Sequence, residues 1–363
     1  MIHVAGLRLA LAFAIIALAN TRMFVDADEV FGPWGPPLIL AAGTIGALAA
    51  LLIQSSGLRG FCWGAALLAP LIGLGISNPL VPDSPVLSLI PVLIGQALFG
   101  LCHSSLMAVE TARALHSWPG RWGAIRAYGS LGAMLGTVVA AAGWPAYLAI
   151  STCCLALGYR QESVRIRLTR FPKFNAVSPV NCVPFAIASM VMAIVALPYQ
   201  SMASVFFSNE WRGGEAVPAV GLIGELFLLG MLFDKLSTRG RKRLWCFTPI
   251  AWCIIYSALA IAEFSGVVAI GIPAIVMQAL NCVFQAQAVR SAVHKESTLE
   301  ESRRTQLILT LAQGIGNVVA ASVITGTLAG AENPDDLLML WTIAAFVAVA
   351  SFPVALMTSG KIS

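Results

Sequence analysis

Glu225 stands alone among apolar neighbours in the run from Val220 to Phe233; nine residues further on, Asp234 and Lys235 open a stretch that also holds Arg239, Arg241, Lys242 and Arg243. At the rise of a helix, about 13 Å separates Glu225 from that charged end, which puts its carboxyl near the middle of a hydrocarbon layer roughly 30 Å thick. A fixed charge at that depth is expensive, so the group must be protonated for part of its life, paired, or exposed to a watery cavity. A carboxyl whose surroundings alternate among these conditions is suited to carrying a proton. The competing reading is a structural carboxyl hydrogen-bonded to a neighbouring helix.

Other polar side chains recur at helical spacing. Gln96, His103 and Glu110 stand at i, i+7 and i+14, Gln278, Asn281 and Gln285 at i, i+3 and i+7, and Gln313 and Asn317 at i and i+4, each set on one helix face. For any one of them the plainer role is a hydrogen bond between helices. As a set, Gln96, His103, Gln278, Asn281, Gln285, Gln313 and Asn317 are better explained as substrate-binding residues lining a hydrophilic cavity. Hydrolytic chemistry is disfavoured: His103 and Ser104 are adjacent, so on a helix they point about 100° apart and fail the geometry of a nucleophile and its base. No zinc-binding HExxH, phosphate-binding Walker loop or GxGxxG appears in the sequence. Neither an enzyme, nor a metal, nor a cofactor is therefore expected.

The elements that must position these residues belong in a bilayer. Of 363 residues 58% are hydrophobic and only 11% charged, with a mean hydropathy of +0.83, more apolar surface than a soluble domain buries. The net charge of +5 arises from short cationic clusters between apolar runs rather than from one basic stripe, so the expected surroundings are lipid, with no nucleic-acid partner. The eight cysteines form no CxxC pair and lie in or beside apolar runs, where they serve as small apolar side chains. Arg8, the run Leu9 to Leu18 and Ala17-Leu18-Ala19 imitate a secretory signal, but cleavage there would upset the charge alternation that follows.

Twelve spanning segments are expected, near residues 6–25, 34–54, 59–79, 85–109, 124–142, 143–159, 182–206, 216–234, 244–262, 265–288, 305–329 and 336–358. With the N-terminus inside, all but two of the 22 Lys and Arg residues fall on the cytoplasmic side, the exceptions being Arg22 and Arg212. Asp26, Asp28, Glu29, Asp83, Glu210, Glu215, Glu263, Glu332, Asp335 and Asp336 all fall outside. Adding or deleting one span would reverse every later loop. The expected fold is an all-α membrane protein of twelve transmembrane helices in two six-helix pseudo-repeats, residues 1–159 and 182–363, joined by a basic cytoplasmic linker, residues 160–181.

Four stretches carry a family resemblance. Gly230-x-x-x-Asp234-Lys235 followed by Arg239-Gly240-Arg241-Lys242-Arg243 resembles the loop signature of the major facilitator superfamily, and the first-half counterpart, "IQSSGLRG", lacks the Asp. "WGAIRAYGSLGAMLG", from Trp122, is similar to the opening of the fifth helix in the branch of bacterial nucleoside and phenylpropionate proton symporters; Gly123, Ile125, Arg126, Gly129, Ser130 and Gly132 match. "AVGLIGELFLLG" looks like that branch's eighth helix with its intramembrane Glu, and residues 288–330 resemble its tenth-to-eleventh-helix region. In that family the loop Asp and basic residues make cytoplasmic contacts that hold one conformation closed.

From the residues themselves, Gly129, Gly132 and Gly136 form a small face for close helix approach, and Arg126 wants an anion, with Glu110 the nearest candidate. The expected protein is thus a secondary transporter of the bacterial inner membrane, both termini cytoplasmic, moving a small-molecule solute with protons. Glu225 is the proton-coupling group, and Glu110, Arg126 and Asp234 are the cytoplasmic gate. Proton-coupled efflux and a non-transporting membrane scaffold are the alternatives. An organic-acid solute would require a cation in the cavity, for which Arg22 and Arg290 are the nearest candidates.

Overall fold

A computed structural model describes residues 2–32, 34–52, 62–77, 84–141, 152, 179–210, 217–293, 298–329 and 337–362. The expected span 143–159 and the linker 160–181 lie almost wholly outside the described residues, as do the side chains of Arg22, Asp26, Asp28 and Glu29. The described residues form helices and turns without a strand: α1 (Ile2–Phe31), α2 (Gly35–Leu52), α3 (Ala65–Ser77), α4 (Pro85–Ser117), α5 (Trp122–Ala141), α6 (Pro179–Glu210), α7 (Ala219–Phe227), α8 (Thr238–Ser265), α9 (Gly271–Ile275), α10 (Ala279–Ala292), α11 (Leu299–Ala329), α12 (Leu338–Ala350) and α13 (Phe352–Ser359). Seven helical stretches among the described residues are long and apolar enough to cross a membrane: Gly35–Leu52, Leu87–Ser117, Cys182–Ala203, Thr238–Ser265, Val268–Ala292, Leu299–Ala329 and Leu338–Ser359. In hydrocarbon a backbone must satisfy its own polar groups, which is why the apolar runs become helices.

Caps explain several boundaries. Pro85 opens α4, where its missing N–H costs nothing, and Gly266, at φ 67, ends α8 in the left-handed conformation. Thr298 and Glu301 form a reciprocal capping box at the start of α11, with Thr298 N donating to Glu301 Oε2 at 2.7 Å and Glu301 N to Thr298 Oγ1 at 3.2 Å. Ser237 Oγ accepts from Gly240 N at 3.2 Å, so Arg239, Arg241, Lys242 and Arg243 sit in the first turns of α8 rather than in an open loop.

Three expected spans are irregular in the middle, that at 336–358 dividing at Ser351 between α12 and α13. After α7 the chain runs as a π-helical stretch, Leu228–Leu232, and a 3-10 turn, Phe233–Lys235. The segment 265–288 is interrupted by a 3-10 turn at Val276–Gln278 between α9 and α10. Irregular backbone at membrane depth is tolerated where protein covers it, and Gly221 and Gly224 of α7 pack directly against this turn.

Close packing joins α1 to α5, α2 to α4, α6 to α11 and α8 to α12. A β-carbon at Gly132 would overlap the carbonyl oxygen of Ala10, and one at Gly46 that of Ala97. One apolar cluster gathers Ala12, Ile15, Ile39, Trp63, Phe99 and Leu106 from α1 to α4. A larger one holds Phe185, Trp245, Trp252, Tyr256, Phe284 and Trp341, and takes in Leu9, Leu115, Trp122 and Ile125 from the N-terminal helices. α2 also packs on α11, and α5 on α7. Trp122 Nε1 donates to the Ala286 carbonyl at 3.0 Å, and Ala50, Ala108 and Leu307 form a third, small apolar cluster joining α2, α4 and α11.

Candidate functional site

Glu225 is 2% exposed and sits where α7 meets α5. Ser130 Oγ, from α5, donates to its Oε2 at 2.8 Å, and Gln278 Nε2, from the 3-10 turn before α10, donates to its Oε1 at 3.4 Å. The Cys282 thiol of α10 lies beside the carboxyl. Arg126 Nη2 donates to Cys282 Sγ at 3.9 Å, a weak contact to a polarisable acceptor, so the thiol stands between the guanidinium and the acid.

Arg126 is held in place by an aromatic face and a missing side chain. Its guanidinium carbon lies 3.9 Å from the centroid of the Phe13 ring, within cation-π range. A β-carbon at residue 129 would come within 2.7 Å of both Arg126 Nη1 and the Phe13 ring, so Gly129 leaves the room that both groups fill. Gly132 and Gly136 instead receive α1 at Ala10 and Ala14. The small face expected on α5 thus divides into a helix-packing part and an arginine pocket.

Beside Arg126 lies a cavity of about 260 Å³. Phe13 of α1, Thr44 of α2, Gln96, Phe99, His103 and Ser104 of α4, Trp122 and Arg126 of α5, Gln285 of α10, and Gln306, Gln313 and Asn317 of α11 contribute to its wall. The structure therefore brings together Gln96, His103, Gln285, Gln313 and Asn317. Gln278 and Asn281 do not line it: Gln278 serves Glu225, and Asn281 is buried at 3% exposure. Asn281 and Gln285 both lie in the regular helix α10, four residues and about 40° apart around its axis, which is enough to leave Asn281 in the packed interior while Gln285 reaches the cavity. His103 stacks on Phe99 with ring centroids 5.4 Å apart, and its Nε2 donates to the Ala12 carbonyl at 3.2 Å.

At the basic end, Asp234 accepts from the backbone of Gly123 through Oδ1 at 3.0 Å and of Ala124 through Oδ2 at 3.2 Å, and Arg290 Nη1 lies 3.5 Å away. A carboxylate here satisfies free N–H groups at the start of α5 and complements the helix dipole. The expected pairing of Arg126 with Glu110 is not formed. Arg8 Nη1 lies 3.7 Å and Arg113 Nη1 3.2 Å from Glu110 Oε1, while Arg126 turns inward over Phe13. Arg303, 2% exposed, binds Glu300 at 2.6 Å and directs Nη1 to the Ala50 carbonyl at 3.5 Å, linking α11 to α2.

Sequence reasoning missed Ser130 as a partner of Glu225, Cys282 as a bridge, Gln306 as a cavity residue, and Arg126, rather than Arg290, as a cation on the cavity wall; the Arg22 side chain lies outside the described residues. Two signals were present: Ser130 stands four residues after Arg126, and Gln306 seven before Gln313, so each shares a helix face with a residue already singled out.

No protein-family model matches the chain, and no curated protein matches its sequence. Solved structures match over nearly its full length. The nucleoside transporter NupG is 16% identical with a TM-score of 0.60, covering 99% of this chain and 100% of that one. A bacterial homologue of the iron transporter ferroportin, in an outward-facing state, is 13% identical with a TM-score of 0.64 and 99% of each chain covered. The human organic anion transporter MFSD10 (TETRAN) is 12% identical with a TM-score of 0.57 and 98% of each chain covered. At these identities the likeness is one of fold, and the fold is that of the major facilitator transporters.

Proposed function

We propose that this chain is a secondary transporter that carries a small solute across a bacterial inner membrane by alternating access, coupled to proton entry. Twelve helices would form two six-helix halves, residues 1–159 and 182–363, with both termini cytoplasmic. The observation that carries the reading is the position of Glu225: a fully buried carboxyl held by Ser130 from one half and Gln278 from the other, beside a polar cavity built from both. A change in how the halves meet would break the Ser130 bond and alter the solvation of the acid, which is what a proton carrier in a rocking bundle requires.

Gln96, His103, Gln285, Gln313 and Asn317 are the proposed solute-binding wall, with Gln278 assigned to the carboxyl. Asp234, clasping the start of α5, together with Glu110, Arg8 and Arg113, supports a closed cytoplasmic gate. One proton moved through 100 mV supplies about 2.3 kcal/mol, sufficient for useful accumulation of a neutral solute.

The test is uptake into proteoliposomes under an imposed inward proton gradient, with labelled nucleosides, sugars and organic acids and a protonophore control. Gradient-dependent accumulation of at least one solute supports the reading. Solute release driven by proton entry would assign the same residues to export, and absence of both solute and proton flux would leave a scaffold.

A further inference from the structure

We infer that the solute taken by this cavity is a small organic anion, bound through its charge by Arg126 and loaded together with a proton on Glu225. The inference rests on the transport reading above and adds the chemical class of the solute. Arg126 is the one formally charged side chain among the described residues lining the cavity, and no Asp or Glu lines it there. It is 6% exposed, its Nη1 has no hydrogen-bond partner, and its Nη2 has only the 3.9 Å contact to Cys282. A buried guanidinium with donors to spare is costly unless an anion meets it, and its planar fork fits a carboxylate. Gln96 Oε1 and Gln306 Oε1, on the same wall, also lack partners and would accept from hydroxyl or amide groups of the solute. The class is therefore a hydroxylated or amide-bearing carboxylate rather than a plain fatty acid.

The same geometry couples the two loads. The cation facing Glu225 is Arg126, with Cys282 between them; the carboxyl's other neighbours are Ser130 on α5, Gln278 before α10, and Tyr199 on α6, whose phenol lies near Tyr256 on α8. While Glu225 is ionised it supplies the counter-charge for Arg126. Once a proton reaches it, the guanidinium is left without one and an anion takes that place. A monoanion and a proton then cross together with no net charge.

The experiment uses the purified full-length chain and three matched pairs: lactate and lactamide, gluconate and gluconamide, mandelate and mandelamide, with uridine as a neutral comparison. Thermal stabilisation is measured for the wild-type protein, Arg126→Gln and Arg126→Lys. At least one carboxylate is expected to stabilise the wild type with an apparent affinity about tenfold or more above that of its amide. Arg126→Gln should lose that preference and Arg126→Lys should keep part of it. Equal stabilisation by carboxylate and amide, a preference that survives in Arg126→Gln, or no stabilisation by any carboxylate overturns the assignment.

A second measurement needs no variant. Wild-type proteoliposomes should accumulate the stabilising carboxylate under a pH gradient and be indifferent to a potassium diffusion potential. Accumulation driven by that potential overturns the paired, electroneutral loading. Accumulation of uridine alone would preserve the transport reading while ending the anion assignment.

Discussion

A methyl group at residue 129 would stand 2.7 Å from Arg126 Nη1 and from the Phe13 ring, so in Gly129→Ala one of the two must move. The far end of an arginine moves more readily than a packed ring. The substitution should therefore cost about 1–3 kcal/mol of stability and leave a folded protein whose affinity for solute falls much further than its melting temperature. Melting curves and solute binding on the same sample would separate the two effects; unchanged affinity would show that Arg126 does not depend on this space. Glu225 was legible in the sequence because an acid among apolar residues is conspicuous whatever surrounds it. The pairing of Arg126 with Glu110 failed because the sequence offers Glu110 as a nearby acid and gives no sign of the ring of Phe13, more than a hundred residues earlier in the chain. Cys282 was read as a small apolar side chain, and only its contacts with Arg126 and Glu225 give it a polar task.

At the scale of elements, the meeting of Asp234 with the start of α5 is the contact whose loss should be easiest to detect. Asp234→Ala removes two accepted backbone hydrogen bonds and the partner of Arg290, together about 1–2 kcal/mol by analogy with helix capping, or roughly 5- to 30-fold in the balance between closed and open forms. Labelling of Cys282 by a small maleimide, read by peptide mass spectrometry, should accelerate by at least about fivefold; an unchanged rate would remove Asp234 from the gate. Glycine contacts make a second comparison. Gly132→Ala would drive a β-carbon into the carbonyl of Ala10 and should sharply reduce the yield of monodisperse protein, whereas Gly230→Ala would meet Ala127 at an ordinary 3.5 Å and should be tolerated. Hydropathy located these helices well, since every expected run that falls on described residues overlaps a described helix, although the runs 216–234, 265–288 and 336–358 are broken within. It did not reveal the 3-10 turn at Val276–Gln278, because an apolar run carries no mark of a local change in helical pitch, nor that Gln278 is taken up by Glu225 instead of the cavity.

For the whole molecule, alternating charge and a few short motifs were enough to anticipate an all-helical membrane protein of the major facilitator fold. Each loop's charge constrains the side on which every later loop must lie, so weak local signals reinforce one another along the chain. The polar wall was legible as a set for a similar reason, although no single amide in it was diagnostic. What the sequence could not supply was distance across the bundle, and so the joining of Ser130 to Glu225 emerged only from the packing of α5 on α7.

Coupling is tested most directly by comparing wild type with Glu225→Gln in proteoliposomes, where the amide keeps the shape of the acid and one accepting oxygen but holds no transferable proton. Accumulation driven by a pH gradient and counterflow exchange without one should be measured with the same labelled solute. The expected result is that the variant loses accumulation above the equilibrium level while its exchange stays within about twofold of wild type, a difference below 0.5 kcal/mol. Undiminished gradient-driven accumulation in Glu225→Gln would contradict a proton-carrying role for this carboxyl.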